Sequence, residues 1–315
     1  MGSRAGYRLY YNLLMAHDVM QAALWRMIAP AVDEAVFRDA YRMVFVLGCG
    51  RSGTTIFSRC LGQHPDIAEL NEPKHIWIGT DSEADILSPF ARFSRGRLRF
   101  DGSDVSEKTR ARYRAMVDYQ VKRRSPIVCD KAPMNTCKVG YVAALNPGAK
   151  FIHLKRSPRA VARSIERCVQ RDGSWWGFND YKWRALCRCA AGHPELKGLI
   201  AHAVDDYYRG LVEWRINQQL AMEDLSTLPP EQQMDVRYED LVADPHPVLA
   251  DVAAFSGVPY DQAVADFADE HIKPPSAEGE CSRNSAEDDR LHAAILGDLD
   301  DRGERIEAPA LAVGF

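Results

Sequence analysis

A continuous apolar run, MVFVL at 43–47, ends on a glycine-rich stretch, GCGRSGTT at 48–55, and a further apolar segment follows without a gap. No other feature narrows the fold as much. A short run with no polar interruption must be covered on both faces, which is the situation of a strand inside a parallel sheet. The glycines permit a tight turn, and the segment at 54–61 reads as a helix closed by Gly62 and Pro65. A strand, a glycine loop and a helix in that order aim backbone N–H groups and the positive end of a helix at one point. Such a point holds phosphate or a similar anion.

Two patterns overlap in the loop. Gly48, Gly50 and Gly53 fit G-x-G-x-x-G, and Glu72 follows near the spacing of a ribose-binding acid. That pattern belongs to NAD(P)-dependent oxidoreductases. The same residues fit the G-x-x-x-x-G-K-[ST] loop of a kinase or switch protein, except that Thr54 stands where the lysine belongs. Arg51 supplies a cation elsewhere in the loop. The expected ligand is a 5′-anhydride, but not a triphosphate handled with Mg²⁺ in the usual way.

Further strand candidates lie at 67–70, 127–129, 150–155 and 234–238, and helix candidates at 107–123, 158–169, 204–225 and 248–256. Strands alternating with helices predict an α/β fold of three layers, a parallel sheet flanked by helices on both faces. The chain reads as one domain over 1–315. It divides into a helical extension (1–40), a nucleotide-binding core (43–260) and a C-terminal loop and tail (261–315). The stretch at 273–286 is rich in Pro, Ser and Gly and reads as a loop, and the acidic tail from 287 as weakly helical.

Charge and cysteine usage remove several classes. Lys and Arg total 40 against 44 Asp and Glu, so no general basic field exists to hold a nucleic acid. The eight cysteines show no metal-ligand spacing, so no metal is expected, and they read as buried free thiols in a reducing cytosol. Residues 7–28 are apolar but interrupted by His17, Asp18, Gln21 and Arg26, which argues against a membrane span, and the lack of a small-residue cleavage site argues against a signal peptide. The expectation is one or two amphipathic helices docked on the core. Peripheral membrane contact through residues 7–28 and a wall for a greasy substrate are the alternatives, and a homo-oligomer is a separate partner expectation.

A second cationic cluster follows the strand at 150–155. Arg156 stands at the strand end, and Ser164 lies two turns into the next helix. A planar guanidinium fork and a neutral hydroxyl can clamp a second phosphate. A nucleotide with both a 5′-anhydride and a 3′-phosphate requires two such sites. Here the chain resembles the sulfotransferases that use 3′-phosphoadenosine 5′-phosphosulfate (PAPS). The carrying residues are GCGRSGTT at 48–55, NEP at 71–73, DKAP at 130–133, FIHLKRSPRAVARS at 151–164 and RYEDLVADP at 237–245. The loop looks closer to the bacterial, carbohydrate and tyrosylprotein branch than to the cytosolic aryl branch. Cys49 and Ala132 depart from the commonest residues at their positions.

The resemblance implies a P-loop-like fold and sulfuryl transfer from PAPS to a hydroxyl, leaving PAP. By that resemblance Gly50, Arg51, Ser52, Gly53, Thr54 and Thr55 hold the 5′-phosphosulfate. Arg156 and Ser164 hold the 3′-phosphate, and Tyr238 touches the adenine. Glu72 falls at the catalytic carboxylate, with Lys131 and Arg51 as catalytic cations. His75 is the alternative base. The aromatic cluster Trp175, Trp176, Phe178, Tyr181 and Trp183 is either a wall for the acceptor or a satellite core. The expected acceptor is a small molecule, carbohydrate or glycolipid, and the apolar start and that cluster favour a hydrophobic or glycolipid one.

Overall fold

The computed structural model describes residues 4–28, 41–121, 125–173, 175–273, 283, 285–300 and 302–305. Five strands form one sheet: β1 (Arg42–Leu47), β2 (Ile67–Asn71), β3 (Ile127–Lys131), β4 (Lys150–Lys155) and β5 (Gln233–Arg237). Their order is β2-β3-β1-β4-β5, and every pairing is parallel. The registers align the carboxyl ends of the central strands. Lys131 lies opposite both Val46 and Asn71, and Leu47 opposite His153. In open parallel sheets the ligand crevice lies beyond those ends, where the chain changes direction across the sheet.

Alternation along β1 builds both faces. Met43, Phe45 and Leu47 join a core with Phe151, Trp77, Tyr113 and Tyr141. Three of the helices over that face are α3 (Lys74–Thr80), α5 (Glu107–Gln120) and α6 (Val139–Leu145). Val44 and Val46 turn to the other face. There they meet α2 (Thr54–Leu61), α11 (Pro245–Ser256) and α12 (Gln262–His271). A third core joins α7 (Pro158–Asp172), α8 (Tyr181–Ala191), α9 (Asp206–Leu225) and α13 (Ala286–Leu296). The remaining helices are α1 (Arg4–Ile28), α4 (Ala91–Ser94) and α10 (Tyr238–Ala243). The three-layer α/β expectation is met.

Differences in detail have local causes. Tyr238 is the first residue of α10 rather than the last of β5. Glu239 and Asp240 follow it, and acids favour a helix start. The tail forms a real helix because Ser285 and Asp288 make a reciprocal capping box. Residues 7–28 form part of one helix that packs on α3, yet most of its large apolar side chains face outward. Seven cysteines are free thiols, and Cys187 and Cys189 share one helix; Cys281 and most of the loop at 273–286 lie outside the described residues.

The glycine-fingerprint reading loses its geometry here. It needs the acid-bearing second strand beside the first. In this sheet β3 separates β2 from β1, so Glu72 follows a strand two places away. Phe151 is fully buried and stacks on Phe45 at 5.5 Å between centroids. Phe151→Ala is therefore expected to cost about 3–5 kcal/mol in urea unfolding, with no change in m value.

Candidate functional site

The loop after β1 is held from three sides. Thr136, in a short 3-10 helix after β3, accepts from the Gly48 N–H at 2.8 Å and donates to the Gly48 carbonyl at 3.1 Å. A Cβ at Gly50 would stand 2.8 Å from two ring carbons of Trp175. A Cβ at Gly53 would stand 2.3 Å from two ring carbons of Tyr238, and Gly53 has φ +90. These two glycines are required by close aromatic approach and, at Gly53, by a left-handed backbone. The Ser52 N–H closes the turn onto the Cys49 carbonyl, and the Ser52 side chain is buried. The N–H groups of Thr54 and Thr55 lie in the first turn of α2, where no intrahelical acceptor exists.

Lys131 ties this loop to β2. Its side chain is fully buried, and its ammonium donates to Thr55 Oγ1 at 3.0 Å and to Glu72 Oε1 at 2.8 Å. Lys74 takes the other carboxylate oxygen at 3.0 Å. Glu72 sits at φ +51, and its N–H donates to the Lys131 carbonyl at 2.7 Å. Burial alone would raise the Glu72 pKa, but the charges and hydrogen bonds of Lys74 and Lys131 outweigh it and bring it down to about 2. The neighbouring Asp130 points away from the site and is wholly buried; burial pushes its carboxyl up to about 8.

The second cationic cluster converges on the first. Arg51, at φ +76, donates from Nε to Ser164 Oγ at 3.0 Å. Arg156 donates from Nη1 to the Arg51 carbonyl at 2.9 Å and lies 4.2 Å from the centre of the Tyr238 ring. Arg51, Arg156, Ser164 and Tyr238 are thus one contiguous group. Trp214 holds the Arg156 carbonyl at 3.0 Å, and Glu239 accepts from the Ser157 N–H at 3.0 Å. These contacts set the start of α7 against α9 and α10.

A cavity of about 240 Å³ opens beside the loop. Gly50, Arg51, Thr54, Thr55 and Glu72 line it, and Leu87, Leu98, Met134 and Leu186 add apolar wall. Trp175 is the one member of the aromatic cluster in that lining. Trp176 and Trp183 are buried against each other in the core, and Tyr181 belongs to a different concavity. His75 is not in the lining either, and its ring bonds Gln120.

Sequence reasoning missed Lys74, Thr136, Lys182 and Glu213. Lys74 stands two residues from Glu72 in NEPK, and that adjacency was the available signal. Glu213, buried in α9, accepts from Trp175 Nε1 at 2.7 Å and pairs with Lys182 at 2.6 Å. Nothing in the local sequence marks that triad, because its members lie on separate elements.

Residues 43–262 match the family model described as "Sulfotransferase family". The chain belongs to the sulfotransferase family. This sulfotransferase-family chain is 24% identical over 239 residues to the protein-tyrosine sulfotransferase of Drosophila melanogaster, covering 74% of the chain and 41% of that protein. It is 28% identical over 251 residues to nodulation protein NoeE of Sinorhizobium fredii, covering 71% and 51%. An uncharacterized protein of Aquifex aeolicus is 25% identical over 232 residues, covering 72% and 27%. The chain thus spans about a quarter to a half of these relatives' lengths. Among solved structures, the sulfotransferase STF9 of Mycobacterium avium aligns with a TM-score of 0.48 at 13% identity, over 79% of this chain and 71% of that one.

Two measurements check the site. Gly148→Ala, at φ +82 with no atom within 4 Å, carries backbone strain alone. It is expected to cost about 1 kcal/mol, whereas Gly53→Ala must also displace the Tyr238 ring and is expected to cost about 3 kcal/mol in urea melts. The second concerns pH. Because the Glu72 pKa is depressed from 4.5 to about 2, its contribution to stability is complete above 4.5 and fades as pH falls toward 2. The stability gap between the wild type and Glu72→Gln is expected to narrow over that window. A gap that stays constant down to the acid limit contradicts the two-lysine grip.

Proposed function

We propose that the chain transfers a sulfuryl group from PAPS to a hydroxyl of a small-molecule, carbohydrate or glycolipid acceptor. One observation carries the reading: a fully buried lysine touches both the hydroxyl at the end of the glycine loop and the carboxylate facing the cavity. The residues present suit the donor. A loop too tight for side chains at Gly50 and Gly53 leaves backbone and hydroxyl donors for a 5′-anhydride. The Arg51, Arg156 and Ser164 group suits a second phosphate one sugar away.

Gly50, Arg51, Ser52, Gly53, Thr54 and Thr55 would hold the 5′-phosphosulfate, Arg156 and Ser164 the 3′-phosphate, and Tyr238 the adenine. The donor supplies an activated sulfuryl group and leaves as PAP. Fixed cations then do the electrostatic work, with Lys131 and Arg51 meeting the charge that grows on the leaving phosphate. Glu72 is too weakly basic while two ammonium groups grip it. Lys131 resolves this: as its ammonium turns to the donor's charge through Thr55, Oε1 of Glu72 is released to take the acceptor's proton. Lys74 keeps the other oxygen oriented. The apolar cavity walls and Trp175 favour an acceptor with an apolar face, a hydroxyl-bearing ring or a lipid-linked sugar.

Glu72→Gln is expected to lower transfer of labelled sulfate from PAPS into a host-cell extract by at least about a hundredfold while PAP still binds. Arg156→Ala is expected to weaken PAP about 10- to 100-fold and adenosine 5′-phosphosulfate far less. Normal turnover in the first variant removes Glu72 from the chemistry. Equal losses for both nucleotides in the second remove Arg156 from the 3′-phosphate.

A further inference from the structure

The cavity beside the glycine loop holds an ion pair that the transfer chemistry does not use. Lys182 of α8 and Glu213 of α9 both line it. The Lys182 side chain is 12% exposed and that of Glu213 4%. A buried pair of this kind does little for stability, since apolar side chains of similar volume join two helices as well or better. Helices α8 and α9 already share an apolar core that includes Trp183, Leu186, Leu211 and Trp214. Joining them does not require two charges in the cavity wall.

The hydrogen bonds of the pair point to a ligand. Glu213 gives one carboxylate oxygen to the Trp175 indole N–H at 2.7 Å and the other to the Lys182 ammonium at 2.6 Å. Lys182 also stands 4.0 Å from the centre of the Trp175 ring. An ammonium carries three N–H donors. One meets Glu213 and one can face the Trp175 ring, so at least one has no acceptor among the described residues. A donor this deeply placed is normally paired. Because Lys182 lines the cavity, the missing partner is one that a bound molecule can bring. Trp175 sets where that molecule lies, for the ring beneath Lys182 is also the ring packed on Gly50. One anchored indole therefore reaches from the glycine loop to the ammonium.

We propose that Lys182 selects the acceptor by donating to a second, uncharged oxygen on it, a hydroxyl, ether or carbonyl separate from the hydroxyl that receives the sulfuryl group. Glu213 is the positioning residue, holding Lys182 and Trp175 through one carboxylate. The inference rests on the sulfuryl-transfer reading and narrows its acceptor to a molecule with at least two oxygen functions, such as a sugar or another polyhydroxylated ring, over a simple alcohol with an apolar body. The second oxygen is uncharged because Glu213 already balances Lys182, and an added anion would leave one buried negative charge unanswered. An acceptor without that oxygen leaves a buried donor unpaired, the condition under which sites reject analogues most strongly.

The test uses the full chain, labelled PAPS and a dilution series of host-cell extract as the acceptor probe. The wild type is expected to label a product whose mass and fragmentation show a second uncharged oxygen function. Lys182→Met/Glu213→Gln keeps an amide oxygen for the Trp175 indole and leaves no buried charge. It is expected to raise the apparent KM for the extract at least about tenfold, with kcat within about twofold and PAP affinity unchanged. Lys182→Gln/Glu213→Gln restores an N–H donor and is expected to recover at least about threefold of that loss. A pair with a purely structural role would instead lower the melting temperature and PAP affinity, with Met and Gln alike. Wild-type KM in the Met variant, Met and Gln variants that behave alike, or a labelled product whose second group is absent or is a carboxylate or phosphate each overturns the proposal. PAP binding by the wild type with no labelled product in the extract overturns the transfer reading itself, and the role of Lys182 falls with it.

Discussion

A lysine ammonium with no exposed surface, at the end of a central strand, is the constraint around which this site is arranged. An unanswered ion in such a place costs several kcal/mol, so its surroundings must supply oxygen atoms at close range. Lys131 obtains them from Thr55 and Glu72, which belong to the loop after β1 and to the end of β2. The strained backbone of Glu72 follows from that demand. Its positive φ lets the N–H reach the Lys131 carbonyl while the carboxylate returns to the ammonium. The same lysine therefore fixes both loop and acid, and it is also the group that an arriving anion would draw upon.

The glycine loop depends on its neighbours as much as on its own composition. Thr136 pins its start, Trp175 covers Gly50, and the Tyr238 ring closes on Gly53. Trp175 is in turn held by Glu213, so a carboxylate deep in α9 governs an aromatic face beside the loop. Arg156 donates to the Arg51 carbonyl, and Arg51 in turn donates to the Ser164 hydroxyl. The two cationic clusters, far apart in sequence, thus form one positively charged trough, although the chain's net charge is negative.

The central frame was legible because it obeys local rules. The MVFVL run, the glycines after it and the apolar FIHL segment announce β1, its loop and β4 directly. Thr55, Glu72 and Lys131 could be placed together only through the motif resemblance, since no local pattern brings residues 55, 72 and 131 to one point. Lys74 was hidden because a lysine beside a proline turn looks like ordinary solvated charge. Tyr238 was misread as a strand residue because its side chain continues the apolar alternation, while Glu239 and Asp240 carried the signal for a helix start. The division of the aromatic cluster was not legible at all. Trp175 lines the cavity with its indole N–H on Glu213, while Trp176 is held by Asp206 in the core, and both acids lie on a distant helix.

The lysine ends β3 and the acid directly follows the paired strand β2, with Asn71 opposite Lys131. Their separation is consequently an interval of the sheet lattice, the one dimension that loop remodelling leaves alone. The segments that supply most of the cavity's apolar and aromatic walls, around 87–98 and 175–186, hang outside that lattice. Such a scaffold behaves like a vise with exchangeable jaws. The grip can be recut to seat a different molecule while the spacing between acid and lysine stays as it is.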